Sequence, residues 1–213
     1  MNIRLFRYPA AARLLYRDAI YRVHGPGEKV YITFDDGPSQ GSPEIIDVLK
    51  RNEVEQAVFF CLGVNIQSHP EETIMIRKNG YSLANHGYYH INGWRSTGQE
   101  YTDNCLKGAE LTGSLFFRPP YGLMTSARYS DISKIARIVL WDLLLYDWDM
   151  ALDSNYILRK AERLIRPGAV IVLHDKENRC ALRVLEGLIR IIRMRGYEFG
   201  DLTIDSSLPQ SDG

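Results

Sequence analysis

At 213 residues the chain has room for one substantial domain with its own core. Its 26 basic side chains are matched by 26 acidic ones, which argues against the broad positive footprint of a nucleic-acid binder. A hydrophobic content of 45% with 11% aromatics marks a globular rather than a disordered chain.

The opening stretch, MNIRLFRYPAAARLLYRDAIYRVHG, carries Arg4, Arg7, Arg13, Arg17 and Arg22 against Asp18 alone. Arg13 and Arg17 bracket its most apolar part, so it makes a poor signal peptide and is unable to span a bilayer. It reads as a basic N-terminal extension, residues 1–27, forming a terminal helix over the domain; contact with an anionic membrane surface is the second reading. The remainder divides into a domain at 28–205 and a flexible tail at 206–213. Cys61, Cys105 and Cys180 are widely spaced with no Cys-x-x-Cys pair. Neither a thiolate zinc site nor a disulfide framework is indicated, and buried inert thiols or a reducing compartment account for them.

From residue 29 onward, short apolar runs alternate with amphipathic segments. KVYITF (29–34), AVFFCLG (57–63), YSLAN (81–85), LFFR (115–118), ARIVLW (136–141), GAVIVLH (168–174) and GYEFGDL (196–202) predict strands. Most are continuously apolar, as expected for strands covered on both faces. Helices are predicted at SPEIIDVLKRN, with Ser42 as N-cap and Pro43 at the first helical position, and at HPEETIMIRKNG. Two more are predicted at SNYILRKAERLIRPG and LRVLEGLIRIIRMRG. Strands alternating with helices imply parallel pairing and right-handed crossovers. About seven such units in one domain favour an α/β fold built as a closed or nearly closed β/α barrel, with an open doubly wound sheet second.

Polar residues cluster where these strands end. Asp35 and Asp36 follow the first, His86 and His90 the third, Arg118 and Tyr121 the fourth, Asp147 and Trp148 the fifth, and His174 with Asp175 ends the sixth. In β/α barrels the carboxyl ends of the strands share one face, where chemistry sits. A lone Asp-Asp-Gly-Pro is ordinarily a turn and a lone His-x-x-x-His a helix surface; convergence at one face changes that reading. Two imidazoles and one carboxylate can hold Zn²⁺ or a similar ion with positions open for water and substrate. The second carboxylate of the Asp-Asp pair can then accept a proton from the metal-bound water. His174 can protonate a leaving group, with Asp147 fixing its tautomer and favouring its charged form.

These residues resemble the NodB-homology polysaccharide deacetylases, carbohydrate esterase family 4. TFDDGP, NHGYYH, FFRPPYG, YDWD and VIVLHD occur in the family's order and approximate spacing across residues 30–175. The resemblance implies a single-domain distorted (β/α)7 barrel at 28–205 that removes N-acetyl groups from an N-acetylglucosamine-type saccharide or polysaccharide. It implies one divalent metal, Zn²⁺ first with Co²⁺ or Ni²⁺ as alternatives, on Asp36, His86 and His90. Asp35 would be the base, oriented by Arg118; His174 would be the acid, with Asp147 as its partner. The Tyr121 N–H would stabilise the oxyanion, while Trp148 and Leu173 would form the slot for the acetyl methyl.

Two positions depart from the family pattern. Gly87 stands where Ser or Thr braces the metal loop, which would loosen that loop. Leu144 stands at the first Asp of Asp-x-x-Asp-Trp, read as a variation of the substrate pocket. Two rivals remain: a non-catalytic carbohydrate-binding relative, and a hydrolase of the same fold acting on a non-sugar amide or imide. Tyr88, Tyr89, Trp94 and Trp148 can stack on sugars under either reading, and at least two of them are expected to be packing residues. Many relatives act on cell-wall material, yet no export signal is visible, so the cytoplasm is the expected location.

Overall fold

Strands covered on both faces must sort their side chains by alternation, and β1 shows how. Val30, Ile32 and Phe34 belong to one buried cluster, while Tyr31 belongs to another. Thr33 and Asp35 continue the Tyr31 face, so one side of the strand meets helices and the other lines the barrel. The computed structural model describes residues 4–25, 27–176 and 179–205, with backbone alone at 179 and 180.

In chain order the elements are α1 (Ala10–Arg13), β1 (Lys29–Asp35), α2 (Ser42–Arg51), β2 (Val58–Cys61), α3 (Gly63–Ser68), α4 (Pro70–Lys78), β3 (Ser82–Asn85) and α5 (Gly98–Thr112). There follow β4 (Phe116–Phe117), a 3-10 turn (Pro120–Gly122), α6 (Ser126–Ile132), β5 (Arg137–Ile138) and β6 (Leu143–Leu144). The chain continues through α7 (Ser154–Leu164), β7 (Val170–His174), α8 (Arg179–Met194), β8 (Glu198–Phe199) and α9 (Leu202–Asp205). The sheet runs β5-β4-β3-β2-β1-β7-β6, with β8 beside the start of β1. All its strand pairs are parallel. It curls into the distorted (β/α)7 barrel, and β5 and β6 are left as edges facing one another across a seam.

The N-terminal segment fills that seam. Unpaired edge groups must find partners: Ile20 N–H donates to Ile138 O at 2.8 Å, Leu140 N–H to Ile20 O at 2.8 Å, and Leu144 N–H to Phe6 O at 2.8 Å. Helix is therefore confined to Ala10–Arg13, after Pro9, rather than running through the segment. Tyr8, Tyr16, Ile20, Tyr21 and Val23 are buried.

Sequence pattern and structure differ elsewhere too. Ser42 is the first residue of α2 rather than its cap, which is Gly41; its hydroxyl is committed to Asp175 Oδ2 at 2.5 Å. The run read as ARIVLW is a strand only at Arg137–Ile138, and Asp147 follows the short β6 instead. Helices α3, α5 and α6 were not apparent from periodicity. For α5 a local signal existed in the Thr97/Glu100 capping box, with Thr97 N–H donating to Glu100 Oε2 at 2.8 Å. Cys61 and Cys105 are buried thiols. Burial raises the Cys61 thiol well above its ordinary value and pushes Cys105 up to about 12. The side chain of Cys180 and the tail at 206–213 lie outside the described residues. Among those residues no helix is long and apolar enough to cross a membrane.

Candidate active site

The carboxyl ends of β1, β3, β4, β6 and β7 surround a cavity of about 380 Å³, lined by Asp35, Asp36, His86, His90, Tyr121 and His174 among others. Asp36 lies just past β1 with φ 71, in the left-handed region that an Asp tolerates better than most residues. That turn sends its carboxylate toward the β3 loop: Oδ1 is 3.5 Å from His86 Nε2 and 3.4 Å from His90 Nε2. One donor atom from each of the three lies within 4.8 Å of the others.

The donor chemistry fits a divalent cation. His86 Nδ1–H donates to Arg118 O at 2.7 Å, which leaves Nε2 as the lone-pair nitrogen facing Asp36. Burial, then the neighbouring His86, pushes His90 down to about 4, so its imidazole is neutral near pH 7, as a ligand requires. Burial works against the Asp36 carboxylate, but His86, His174 and Lys176 outweigh it and hold its pKa down to about 2. Lys176 Nζ occupies the far side, 2.9 Å from Oδ2, and Oδ1 is the oxygen turned to the histidines.

Asp35 serves a separate arrangement. Arg118, wholly buried, donates from Nη1 to Asp35 Oδ1 at 2.5 Å and to Thr33 Oγ1 at 2.7 Å. Its guanidinium stacks 3.9 Å over Phe60, and it also reaches Val139 O and Leu140 O. Desolvation lowers the pKa of Arg118 and Asp35 opposes that shift. Across the cavity, His174 Nδ1–H donates to Asp147 Oδ1 at 3.0 Å, and the His174 backbone N–H donates to Asp147 Oδ2 at 2.8 Å. Burial disfavours imidazolium at His174, but Asp147, Asp35 and Asp36 together raise its pKa. Trp148 packs on this ring with centroids 4.1 Å apart.

Tyr121 adopts φ 61 in the turn after Pro119 and Pro120, which have no N–H of their own. Its ring meets His90 edge-on, centroids 4.4 Å apart. Of the ten residues expected at the site, Leu173 is turned away from the cavity. It is 1% exposed and belongs to the outer cluster with Ile171, Leu145 and Val184. Strand alternation gives the His174 face to Val172, whose pairing partner on β6 is Leu144. Leu144 and Trp148, with Trp141 and Tyr146, supply the cavity's apolar wall. Of the aromatic candidates outside it, Tyr88 is buried under Lys107, while Tyr89 and Trp94 are 55% and 60% exposed.

Gly87 does not leave its loop slack. Its φ is +88, and a Cβ would sit 2.5 Å from Asn104 Nδ2. Asn104, from α5, clamps the loop by donating to Tyr89 O at 3.0 Å and accepting from Tyr89 N–H at 2.7 Å. Asn85 Oδ1 accepts from Gly87 N–H at 2.7 Å. Two amides therefore stand in the role expected of a hydroxyl.

The profile of the family described as Polysaccharide deacetylase matches residues 22–136. The chain belongs to the polysaccharide deacetylase family. It is 30% identical over 193 residues to the peptidoglycan-N-acetylglucosamine deacetylase of Bacillus cereus, covering 84% of this chain and 69% of the relative. Identity is again 30% over 195 residues with the chitooligosaccharide deacetylase of Bradyrhizobium, covering 81% and 88%. The solved structure of the Bc1960 peptidoglycan N-acetylglucosamine deacetylase with a bound hydroxamate superposes with a TM-score of 0.84 at 25% identity, covering 96% of this chain and 99% of that one. Family membership makes the chain a carbohydrate-deacetylase homologue.

Proposed function

We propose that the protein is a metal-dependent hydrolase that removes N-acetyl groups from an N-acetylglucosamine-type saccharide. One observation carries this reading: a carboxylate with two imidazoles, an arginine-held carboxylate and an aspartate-held imidazole all open on a single cavity. A divalent cation on Asp36, His86 and His90, Zn²⁺ by the preference of a mixed imidazole and carboxylate set, would supply a Lewis acid that acidifies water and polarises the acetyl carbonyl. Arg118 fixes Asp35 Oδ1 and leaves Oδ2 to take the proton of the attacking water. The Tyr121 N–H would donate to the carbonyl oxygen as it gains negative charge. His174, whose charged form Asp147 favours, would give its proton to the departing nitrogen. The amide C–N bond then breaks to acetate and a free amine. Leu144 and Trp148 offer the methyl an apolar wall and exclude water from it. Similarity to a peptidoglycan-N-acetylglucosamine deacetylase and a chitooligosaccharide deacetylase supports an N-acetylglucosamine-containing substrate.

Titration of metal-stripped protein with Zn²⁺, Co²⁺ and Ni²⁺, with His86→Ala beside it, tests the centre directly. One tight site, absent from the variant, is expected, followed by metal-stimulated acetate release from N-acetylated chitooligosaccharides. A protein with no specific site would remove the metal mechanism; a protein with the site and no acetate release would be a binding relative.

A further inference from the structure

The hydrolytic reading leaves unexplained why the N-terminal segment touches so many cavity loops. Residues 4–23 do more than fill the seam between β5 and β6. Leu5 O accepts from Tyr146 Oη at 3.1 Å, and Arg4 pairs with Asp149, both in the loop that carries Asp147 and Trp148. Tyr16 Oη bonds Met124 O and accepts from Met124 N–H at 3.3 Å. Tyr8 is 5% exposed and its hydroxyl donates to Gly122 O at 2.7 Å. The same ring packs against Trp141, centroids 5.0 Å apart, and Trp141 lines the cavity.

Gly122 is the pivot. Its N–H donates to Pro119 O at 2.9 Å and its carbonyl is held by Tyr8, so both of its backbone polar groups are tied. Its φ is +65, and an added Cβ would lie 2.3 Å from the Trp141 ring. The preceding residue, Tyr121, also has positive φ, a left-handed conformation that costs a residue with a Cβ and gains from contacts that hold the turn. The Tyr8 hydroxyl supplies one such contact, delivered from a segment more than a hundred residues away in sequence.

We propose that Tyr8 is a positioning residue for the cavity: its hydroxyl fixes the 119–122 turn and so aims the Tyr121 N–H. The catalytic part of this inference rests on the deacetylase reading, whereas the structural part does not. Tyr8→Phe removes the hydroxyl and keeps the ring. Tyr81→Phe is the matched control, because Tyr81 Oη donates to Val54 O at 3.0 Å in another buried site away from the cavity. Amide exchange at Gly122 and Leu123, whose N–H groups donate to Pro119 O and Pro120 O within the turn, should quicken by roughly tenfold in Tyr8→Phe when read by NMR, about 1.4 kcal/mol of local opening. Exchange at residues 86–90 should stay put, as should all of these amides in Tyr81→Phe. In metal-loaded protein, kcat should fall by roughly tenfold in Tyr8→Phe with KM within about twofold, the split expected when only transition-state donation is misaimed. Unchanged exchange at Gly122 and Leu123, or equal effects in both variants, would overturn the proposal. Faster exchange in a protein that releases no acetate would uphold the positioning role and count against the deacetylase reading instead.

Discussion

Asp35 and Asp36 are adjacent like charges, and each is stabilised by a different neighbour. Arg118 takes Asp35, while the imidazoles and Lys176 take Asp36. Asp35→Asn should therefore retain the metal site and lose turnover by about a hundredfold or more, as removal of a general base does. It should also destabilise the fold by about 3 kcal/mol, because Arg118 would keep a buried charge without its partner. Calorimetric metal binding, acetate release and urea unfolding on one preparation separate these three effects; loss of metal would mean that the two aspartates exchange roles. Gly87 makes a second test at this scale. Gly87→Ser restores the family's usual residue, yet it needs a strained φ and displaces Asn104 Nδ2. Metal affinity should weaken by roughly ten- to a hundredfold, and the added change Asn104→Ala should recover part of it; tighter binding in the single variant would show that the amide clamp is not the brace. Most polar residues of the cavity were legible because they follow a recognisable strand; Asp147 follows the two-residue β6, which the sequence pattern does not show. The position of Leu173 was not legible either, since one step along β7 moves a side chain from the cavity to the outer core, and His174 fixes that parity only if the alternation is counted back from it.

At the scale of elements, Asp175 joins the end of β7 to the start of α2. Its Oδ2 accepts from Ser42 Oγ at 2.5 Å and its Oδ1 from Ser39 Oγ at 2.8 Å. Burial pushes its pKa up to about 6, against the lowering effect of those two hydroxyls. A carboxyl raised in the folded state binds its proton more tightly there than in the unfolded chain. Its contribution is fully present below the unfolded value of 3.8 and is lost as pH rises through about 6. Wild type should thus lose stability relative to Asp175→Asn between pH 4 and roughly 7, by up to about 3 kcal/mol. Urea unfolding of both proteins at pH 4.5 and 7.5 measures it, and a constant difference would mean that Asp175 stays ionised throughout. Sequence pattern exposed elements of this kind unevenly. The long strands and α7 and α8 carry strong periodicity, whereas β6 has two residues and α5 has a mixed face that buries Asn104, Cys105, Gly108 and Thr112 beside Tyr101. Small and polar residues bury there because α5 must approach the metal loop closely: a Cβ on Gly108 would lie 2.7 Å from the Gly87 carbonyl carbon.

The whole molecule is a curled sheet whose two edges never meet, and the basic N-terminal segment spans the gap through side chains as well as backbone. Asp142, wholly buried beside β6, accepts from Arg7 at 2.5 Å, Arg166 at 2.5 Å and Arg13 at 3.3 Å. Burial raises the cost of its charge, and the arginines more than compensate, so its pKa lies below the ordinary carboxylate value. Charge counting alone left that role hidden: five arginines in a short stretch resemble a membrane-facing surface until two of them, Arg7 and Arg13, are found to share a buried acid far along the chain. Arg4 pairs separately with Asp149 at a partly exposed site. These two contacts should differ sharply in worth. Asp142→Asn leaves three guanidinium groups around a neutral side chain and should cost about 3 kcal/mol or more, a fall in Tm of roughly 10 °C for a chain of this size. Arg4→Ala should cost at most about 1 kcal/mol, the range of exposed pairs, and less in high salt. Differential scanning calorimetry of both variants at low and high salt decides between two views of the segment. If the Asp142 variant melts like the Arg4 variant, the arginines are surface decoration and the seam is held by backbone pairing and the buried tyrosines; if it melts far lower with little salt dependence, a desolvated charge cluster closes the barrel and holds in place the chain that reaches the cavity loops.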